Sequence, residues 1–438
     1  MKNHLFYSLL MLISLMGCNS AKANPEAEVV EEVEEGLPVI NLSENVKEIS
    51  ALNLSDAAER VEIVKLETTN KSILSNLRHI QVTNSDIWIT HYKDQYVYRF
   101  SRDGKFKNRV GKIGQGPEEY TRLSSFWIDE ATKEVYILST VYGVKVYDYE
   151  GHYIRTLTNK TMDDMFTAEN STNNPIINYK GSFLLCQNLA VRGDSKESLW
   201  SLALVDANFN KQRLFINPAY IGREEQIIAN GAGGSMLQWR EMPVSTDCYN
   251  DELTFKFADT DTIYCFDSIK KELIPQSIIH TNEEKGDYGL THESLRKRNA
   301  FSYFTLTGYY PSKDYIYLRG YKGETIFIYR YSKKDSSVQL VKRETELRER
   351  NILNTKSYSL VDNAFVLNND ICGGKFTFNY RSSGKYWIQE LEPGSSDYEK
   401  YVEGLKKAPA APQKQQLLDV IARTGEEDNP ILLIAVLK

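Results

Sequence analysis

Pairs of short strands joined by tight turns recur along most of this chain, and this repetition limits the fold more than any other feature. Two of the turns, Arg102-Asp103-Gly104 and Tyr149-Glu150-Gly151, have the Asp-Gly character of hairpin turns. The content of 28 Tyr and 17 Phe also favours strands over helices. The strand pairs lie at 86–90 and 96–100, 135–138 and 144–147, 182–185 and 202–205, 253–257 and 262–266, 314–318 and 325–329, and 375–378 and 386–389.

Six copies of such a unit predict an all-β fold, a six-bladed β-propeller of four-stranded antiparallel blades. One unit cannot bury both faces of its sheet, whereas a radial arrangement buries all of them and leaves only short edges. The copies recur at intervals of roughly 50 to 65 residues, longer than the usual blade period, which indicates long insertions. An open sandwich is the alternative, and the regular order of strands and turns argues against it.

The two ends of the patterned region are predicted to close the ring. Val61 to Leu66 alternates like a strand and has no partner in the first copy, while Ile431 to Val436 forms a last strand. Pairing these two would complete the sixth blade. Helical spacing over 397–405 and 415–421 predicts a helical insertion in that blade. Ser55 is expected to cap a short helix before the strand at Val61.

The N-terminus has the character of an export signal. Lys2 precedes an apolar run from Leu5 to Met16, too short to span a bilayer comfortably, and Gly17-Cys18 follows directly. This arrangement resembles the lipobox of bacterial lipoproteins, which implies cleavage after residue 17 and lipid attachment at Cys18. The alternatives are an ordinary signal peptide cut near Ala21-Lys22-Ala23 and an uncleaved anchor.

Residues 18–53 are predicted to be a tether, and residues 54–438 the propeller. The tether carries six glutamates between Glu26 and Glu35 and no aromatic residue over that span, so it cannot bury enough apolar surface to fold. Together with the lipid anchor, this predicts a cell-envelope protein at the outer membrane. Whether it faces the periplasm or the cell surface stays open.

Two stretches resemble the Bacteroidetes six-bladed β-propeller lipoproteins, an NHL-like family of largely unassigned function. The first is Leu54-Ser55-Asp56 together with Val61 to Thr69, and the second is the segment from Gly111 to Tyr120. The second matches the pattern G-x-I-G-x-G-P-G-E-Y except at Glu118, where the family has glycine. If that glycine has a positive φ, Glu118 is strained or the loop is rebuilt. The resemblance implies fold and location rather than an activity.

Candidate functional residues are few. Arg78 and His79 lie on a predicted inner strand, where side chains can enter the central channel, and Trp239 lies in a glycine-containing insertion where it can bind a ligand. The glycines of 111–116 could suit a phosphate, but acids follow them where a P-loop has Lys-Ser/Thr, so a joint between blades is favoured. The histidines lack metal-ligand spacing, no nucleophile motif occurs, and no cofactor or metal is expected.

Two functions compete. The net charge of −6 argues against nucleic-acid binding, which needs a basic surface. We favour a membrane-anchored binding or scaffold module for a glycan, a peptide or an envelope protein. The alternative is a lyase or hydrolase with a site in the central funnel. The sequence does not identify the ligand or substrate.

Overall fold

A computed structural model of the protein describes residues 36–139, 143–157, 176–180, 182–186, 200–208, 210–216, 221–222, 244–257, 260–283, 304–352, 355–360 and 364–438. Six small antiparallel sheets form a ring, which confirms the six-bladed β-propeller. Five of the sheets have four strands in sequence order from the axis outwards, the sixth takes its outermost strand from the N-terminal end of the patterned chain, and two of the sheets gain a fifth strand at the outer edge.

The first three blades follow each other directly along the chain. Blade 1 consists of β4 Leu77–Val82, β5 Asp86–His91, β6 Val97–Ser101 and β7 Phe106–Val110. Blade 2 consists of β8 Leu123–Asp129, β9 Glu134–Ser139, β10 Gly143–Asp148 and β11 Tyr153–Leu157. Blade 3 consists of β12 Ile176–Tyr179, β13 Ser182–Cys186, β14 Trp200–Val205 and β15 Lys211–Ile216.

The next two blades carry the additional strands. Blade 4 consists of β16 Val244–Tyr249, β17 Glu252–Phe257, β18 Thr262–Asp267 and β19 Glu272–His280, with β1 Val39–Asn41 at its outer edge. Blade 5 consists of β20 Thr305–Pro311, β21 Tyr315–Lys322, β22 Thr325–Ser332 and β23 Val338–Glu344, with β2 Val46–Glu48 at its outer edge.

Blade 6 closes the ring by combining both ends of the patterned chain. Its strands are β28 Tyr380–Ser382, β29 Tyr386–Leu391, β30 Ile431–Leu437 and β3 Ala58–Lys65. The pairing of β3 with β30 confirms the predicted closure. Two small hairpins precede this blade: β24 Leu347–Ile352 with β25 Thr355–Leu360, and β26 Val366–Asn368 with β27 Lys375–Thr377.

The sixth copy was partly misassigned from the sequence. The strand expected at 375–378 is β27, which pairs with β26 and not with β29. The innermost strand of blade 6 is β28, which is only three residues long and pairs with β29. The expected helical insertion is confirmed as α1 Ser396–Lys407 and α2 Lys414–Ala422, which lie between β29 and β30.

The ordered fold begins before Leu54. β1 pairs in parallel with β19, and β2 pairs in parallel with β23, so residues 39–48 line the outer edges of blades 4 and 5. These strands lie within the stretch assigned to the tether from its sequence. Ser55 does not cap a helix: it lies inside a short 3₁₀ turn, Leu54–Asp56, and its amide and hydroxyl both donate to the carboxylate of Asp370.

The apolar core is divided among the seams between blades. In the described part of the chain, six separate clusters of buried residues lie one at each seam. Trp88, Trp127 and Trp387, which lie on strands, are all buried within them. Because both faces of every sheet pack against a neighbour, strands such as β5 are buried at every position.

Candidate functional site

The innermost strands of neighbouring blades run in the same direction around the axis. The Tyr380 hydroxyl at the start of β28 donates to the carbonyl oxygen of Leu77 at the start of β4. At the other end, the Ser382 hydroxyl accepts from the amide of Val82. The ring therefore has two distinct faces. We call the face at which β4 begins the upper face and the opposite one the lower face.

Connections between successive blade strands on the lower face are all short. None of the eleven connections between strands there is longer than five residues. They span residues 83–85, 102–105, 130–133, 149–152, 180–181, 206–210, 250–251, 268–271, 312–314, 333–337 and 383–385.

Connections on the upper face include every long insertion. Long loops carried by a rigid scaffold are where proteins usually place binding and catalytic residues. The connections span residues 66–76, 92–96, 111–122, 140–142, 158–175, 187–199, 217–243, 258–261, 281–304, 323–324, 345–379 and 392–430.

The lower mouth of the central channel is narrowed. Gly384, in the lower turn of blade 6, lies so close to Cys248 at the end of β16 that any side chain there would collide with the Cys248 carbonyl group. Blades 4 and 6 are not neighbours, so this contact crosses the lower mouth. The Tyr249 hydroxyl also donates to the carbonyl oxygen of Lys438, 2.7 Å away. Ligand access from the upper face is therefore favoured.

Arg78 lies at the upper end of β4, the innermost strand of blade 1, and its guanidinium links two blades. It is the extra residue of a β-bulge in β4, where it stands between the Leu77–His91 and His79–Thr90 pairs. Its guanidinium donates to the carbonyl oxygens of Leu123 and Ser124, at 2.9 and 3.0 Å, and so joins β4 to β8. Burial lowers its pKa, Tyr92 opposes this effect, and the charge of Arg122 adds to it to a smaller extent.

His79 follows Arg78 on the same strand and is half-buried. Its Nδ1 lies 3.2 Å from the hydroxyl of Thr90, and its ring meets the edge of Phe126 in blade 2. Burial and the neighbouring charge of Arg78 lower the pKa of His79 to about 4. The imidazole is therefore neutral at physiological pH and can serve as a hydrogen-bonding group but not as a cation.

Two residues at the same mouth were missed from the sequence. Tyr92, in the connection between β5 and β6, is 66% exposed, and the Arg78 guanidinium lies 5.8 Å from its ring centroid. Arg122, directly before β8, is exposed. A single arginine and a single tyrosine in loops carry no motif, so only their position beside the inner strands identifies them.

The segment from Gly111 to Tyr120 is a joint between blades 1 and 2, as favoured from the sequence. Its amides are used inside the loop: that of Gly114 donates to the Tyr120 carbonyl, and that of Gly116 to the Glu119 carboxylate. Tyr120 is fully buried, and its hydroxyl lies where a side chain at Gly111 would be, which explains glycine at a φ of +116°. These amides are not directed at an external anion.

Glu118 is not strained. It does not adopt a positive φ, so the strain expected from its departure from glycine is absent. Its carboxylate lies 3.2 Å from the ammonium group of Lys112, and its carbonyl oxygen accepts from the Tyr147 hydroxyl. The glycine of related sequences is therefore not required by the backbone of this loop.

Two predicted site residues, Cys18 and Trp239, lie outside the described residues. Of the other cysteines, Cys265 and Cys372 are free thiols. Within the described ranges, no group of three or more His, Cys, Asp or Glu side chains is placed to hold a metal ion. Among these same residues, no helix is both long and apolar enough to cross a membrane.

A sequence profile for a domain of unknown function (DUF4934) matches residues 37–436, which is nearly the entire chain. The chain belongs to the DUF4934 family. The matched range includes β1 and β2, in agreement with their place in the propeller. No curated protein sequence matches the chain.

Solved structures resemble the chain in fold. A crystal structure of a protein from Bacteroides fragilis, described as exported, is 16% identical with a TM-score of 0.59, covering 91% of this chain and 100% of that one. A member of the duf4221 family from Bacteroides vulgatus is 12% identical with a TM-score of 0.43, covering 87% of this chain and 97% of that one. At 16% identity, the first of these likenesses shows the fold and nothing further about this DUF4934 protein.

Proposed function

We propose that this DUF4934 protein is a lipid-anchored binding module of the cell envelope, which presents its upper face to a glycan, a peptide or an envelope protein. The observation that carries the proposal is the difference between the two faces. Every connection longer than five residues between successive blade strands begins and ends on the upper face, whereas the lower face has short turns, the segment 49–57 that leads from β2 into β3, and a narrowed channel mouth. Such a distribution of loops is typical of a scaffold with one recognition face.

Affinity measurements on two matched variants test which face binds. The full-length chain in detergent is screened against a panel of polysaccharides, peptides and envelope proteins, and any ligand found is titrated against Tyr92→Ala and Ile269→Ala. Both positions are exposed, and Ile269 lies in a lower-face turn at 92% exposure. We expect Tyr92→Ala to weaken binding and Ile269→Ala to leave it unchanged.

The opposite pattern would place the binding surface on the lower face and overturn the proposal. Turnover of a panel member, rather than retention of it, would instead support the alternative of an enzyme with a site in the central funnel. In that case, the loss of turnover should follow the upper-face variant, because the lower mouth is narrowed.

A further inference from the structure

We propose that the upper face binds a neutral saccharide at the seam between blades 6 and 1, with a sugar ring against Tyr92 and hydroxyl groups on the carboxylate of Glu392. This inference rests on the proposed function, because it assigns a ligand class to the same face. The upper connections 66–76, 92–96 and 392–430 meet at this seam. We call Asn76, Tyr92 and Glu392, one from each connection, the seam site.

Asn76 holds Tyr92 and Glu392 beside each other through its backbone. Its amide donates to the Glu392 carboxylate, 3.3 Å away, and its carbonyl oxygen accepts from the Tyr92 amide, also at 3.3 Å. Asn76 has a φ of +50°, in the left-handed region that asparagine adopts more readily than most residues. The aromatic ring and the carboxylate are therefore fixed to one residue, although they are distant in the sequence.

Tyr92 supplies a flat surface at this seam. The residue is 66% exposed, and the guanidinium carbon of Arg78 lies 5.8 Å from the centroid of its ring. Arg78 is itself held by the carbonyl oxygens of Leu123 and Ser124. An aromatic ring presents an apolar face that suits the C–H side of a sugar ring. Tyr92 thus combines an open ring with a backbone and a neighbour that are both fixed.

Glu392 supplies a carboxylate whose position is fixed by the main chain. The amide and the hydroxyl of Ser395 both donate to the Glu392 carbonyl oxygen, at 3.3 and 2.7 Å, and Gly394 in this turn has a φ of +74°. One carboxylate oxygen accepts from Asn76, and among the described residues no ion pair involves Glu392. The other oxygen can accept from ligand hydroxyls, and hydrogen bonds to a charged acceptor are among the stronger ones.

The charges around the seam site have both signs, which favours a neutral ligand. Arg78 and Lys93 are positive, and Asp94 and Glu392 are negative. Burial, with a smaller contribution from Glu392, raises the pKa of the neighbouring Glu390. A carboxylated ligand would be repelled by Glu392, and an ammonium group by Arg78. Hydroxyl groups can donate to the carboxylate and accept from the guanidinium, so they suit both.

A peptide added as an extra strand fits this seam less well. Strand addition needs free amides and carbonyl oxygens along an exposed edge. The Asn76 amide and carbonyl are already bonded, and the Leu77 carbonyl oxygen accepts from the Tyr380 hydroxyl. Further down β4, the Ser382 hydroxyl bonds to both the amide and the carbonyl oxygen of Val82. A ligand recognised by side chains is therefore favoured over a strand.

Calorimetric titration of the full-length chain in detergent tests the inference. The neutral probes are cellohexaose, mannohexaose, xylohexaose and maltohexaose, and hexagalacturonate is the acidic comparison. We expect at least one neutral probe to bind with a Kd between about 10 µM and 1 mM. Hexagalacturonate should bind at least about tenfold more weakly than that probe, because its carboxylates meet the charge of Glu392.

Three variants assign the binding to the seam site. Tyr92→Ala should weaken binding of the neutral probe at least about tenfold, whereas Tyr92→Phe, which keeps the ring, should change the affinity less than about twofold. Glu392→Gln keeps an oxygen for the Asn76 amide but removes the charge, and should weaken binding about fivefold. Because Tyr92 is exposed, its substitution should leave the melting temperature unchanged.

Binding of none of the neutral probes would overturn the inference. Tighter binding of hexagalacturonate, or an affinity that Tyr92→Ala leaves unchanged, would overturn it as well. If a peptide or an envelope protein binds in a Tyr92-dependent manner and no saccharide does, the proposed function stands and only the saccharide falls. If binding depends on Ile269 and not on Tyr92, both fall.

Discussion

The carboxyl group of Glu390 lies 2.9 Å from the hydroxyl of Tyr380, at the seam where blade 6 meets blade 1. The same hydroxyl lies 2.8 Å from the carbonyl oxygen of Leu77, which can only accept. A tyrosine hydroxyl has one proton, so all three groups are satisfied when Glu390 is protonated and donates to Tyr380. Burial, reinforced by the nearby Glu392, raises the pKa of Glu390 and agrees with this arrangement.

Glu390→Gln should therefore stabilise the protein at neutral and alkaline pH. The folded state retains a proton that the unfolded chain loses above the ordinary pKa of 4.5, so the free energy of unfolding falls as pH rises above that value. Glutamine keeps the donor and removes the titration. We expect Tm to rise by roughly 1–3 °C at pH 8 and to stay unchanged at pH 4. Equal effects at both pH values, measured by thermal unfolding, would show that Glu390 is ionised in the seam.

The titration of His79 should change the stability of the protein with pH in the direction opposite to that of Glu390. Its pKa of about 4 lies below the ordinary value of 6.5, so the unfolded chain binds the proton more readily between those values. The contribution of neutral His79 to the free energy of unfolding is complete above pH 6.5 and is lost as pH falls towards 4. NMR of the imidazole resonances should give a midpoint near 4. A midpoint near 6.5 would mean that the ring is solvated.

Glycine at position 111 should matter more than glutamate at position 118. Gly111→Ala places a methyl group against the Tyr120 hydroxyl at a positive φ and should cost about 1–3 kcal/mol. Glu118→Gly removes only the ion pair with Lys112 and increases the backbone entropy of the unfolded chain. We expect it to lower stability by about 0.5–1 kcal/mol. Denaturant unfolding of both variants measures these losses of stability.

Gly404→Ala is the matched control for these variants. Gly404 lies in α1 with open space around it, and alanine there should raise stability by about 0.5–1 kcal/mol. A Glu118→Gly variant that loses more stability than Gly111→Ala would contradict this account of the loop.

Lipid attachment at Cys18 stays a prediction. Mass spectrometry of the mature chain should show an acylated N-terminal cysteine and no residues 1–17, and the protein should partition into detergent. Cys18→Ser should release it from the membrane fraction, because several acyl chains on one cysteine provide the stable anchorage. A mature chain that begins near residue 24 without acylation would favour the ordinary signal peptide.

Strand-and-turn periodicity was enough to predict six blades and the closure through Val61, because these features depend on local patterns. It was not enough for β1 and β2. Both are three-residue strands that follow an acidic segment, and their parallel partners are more than 200 residues away. Nothing in Val46–Glu48 distinguishes an edge strand from a tether.

The candidate site was predicted less well, because it too depends on contacts between residues that are distant in sequence. The position of Arg78 on an inner strand followed from the repeat, but the β-bulge that turns it towards β8 depends on strand register. Tyr92 lies beside Arg78 because β4 pairs with β5, and Arg122 precedes β8 of the next blade. Ser55 contacts Asp370 across 315 positions, a pairing that no local signal records.

Hydrogen exchange with and without bound ligand tests the central claim, that the upper face is the recognition face, most directly. The account predicts slower exchange in the connections 92–96 and 111–122 and unchanged exchange in the turns 102–105 and 149–152. Protection confined to those lower turns, with the upper connections unaffected, would contradict it.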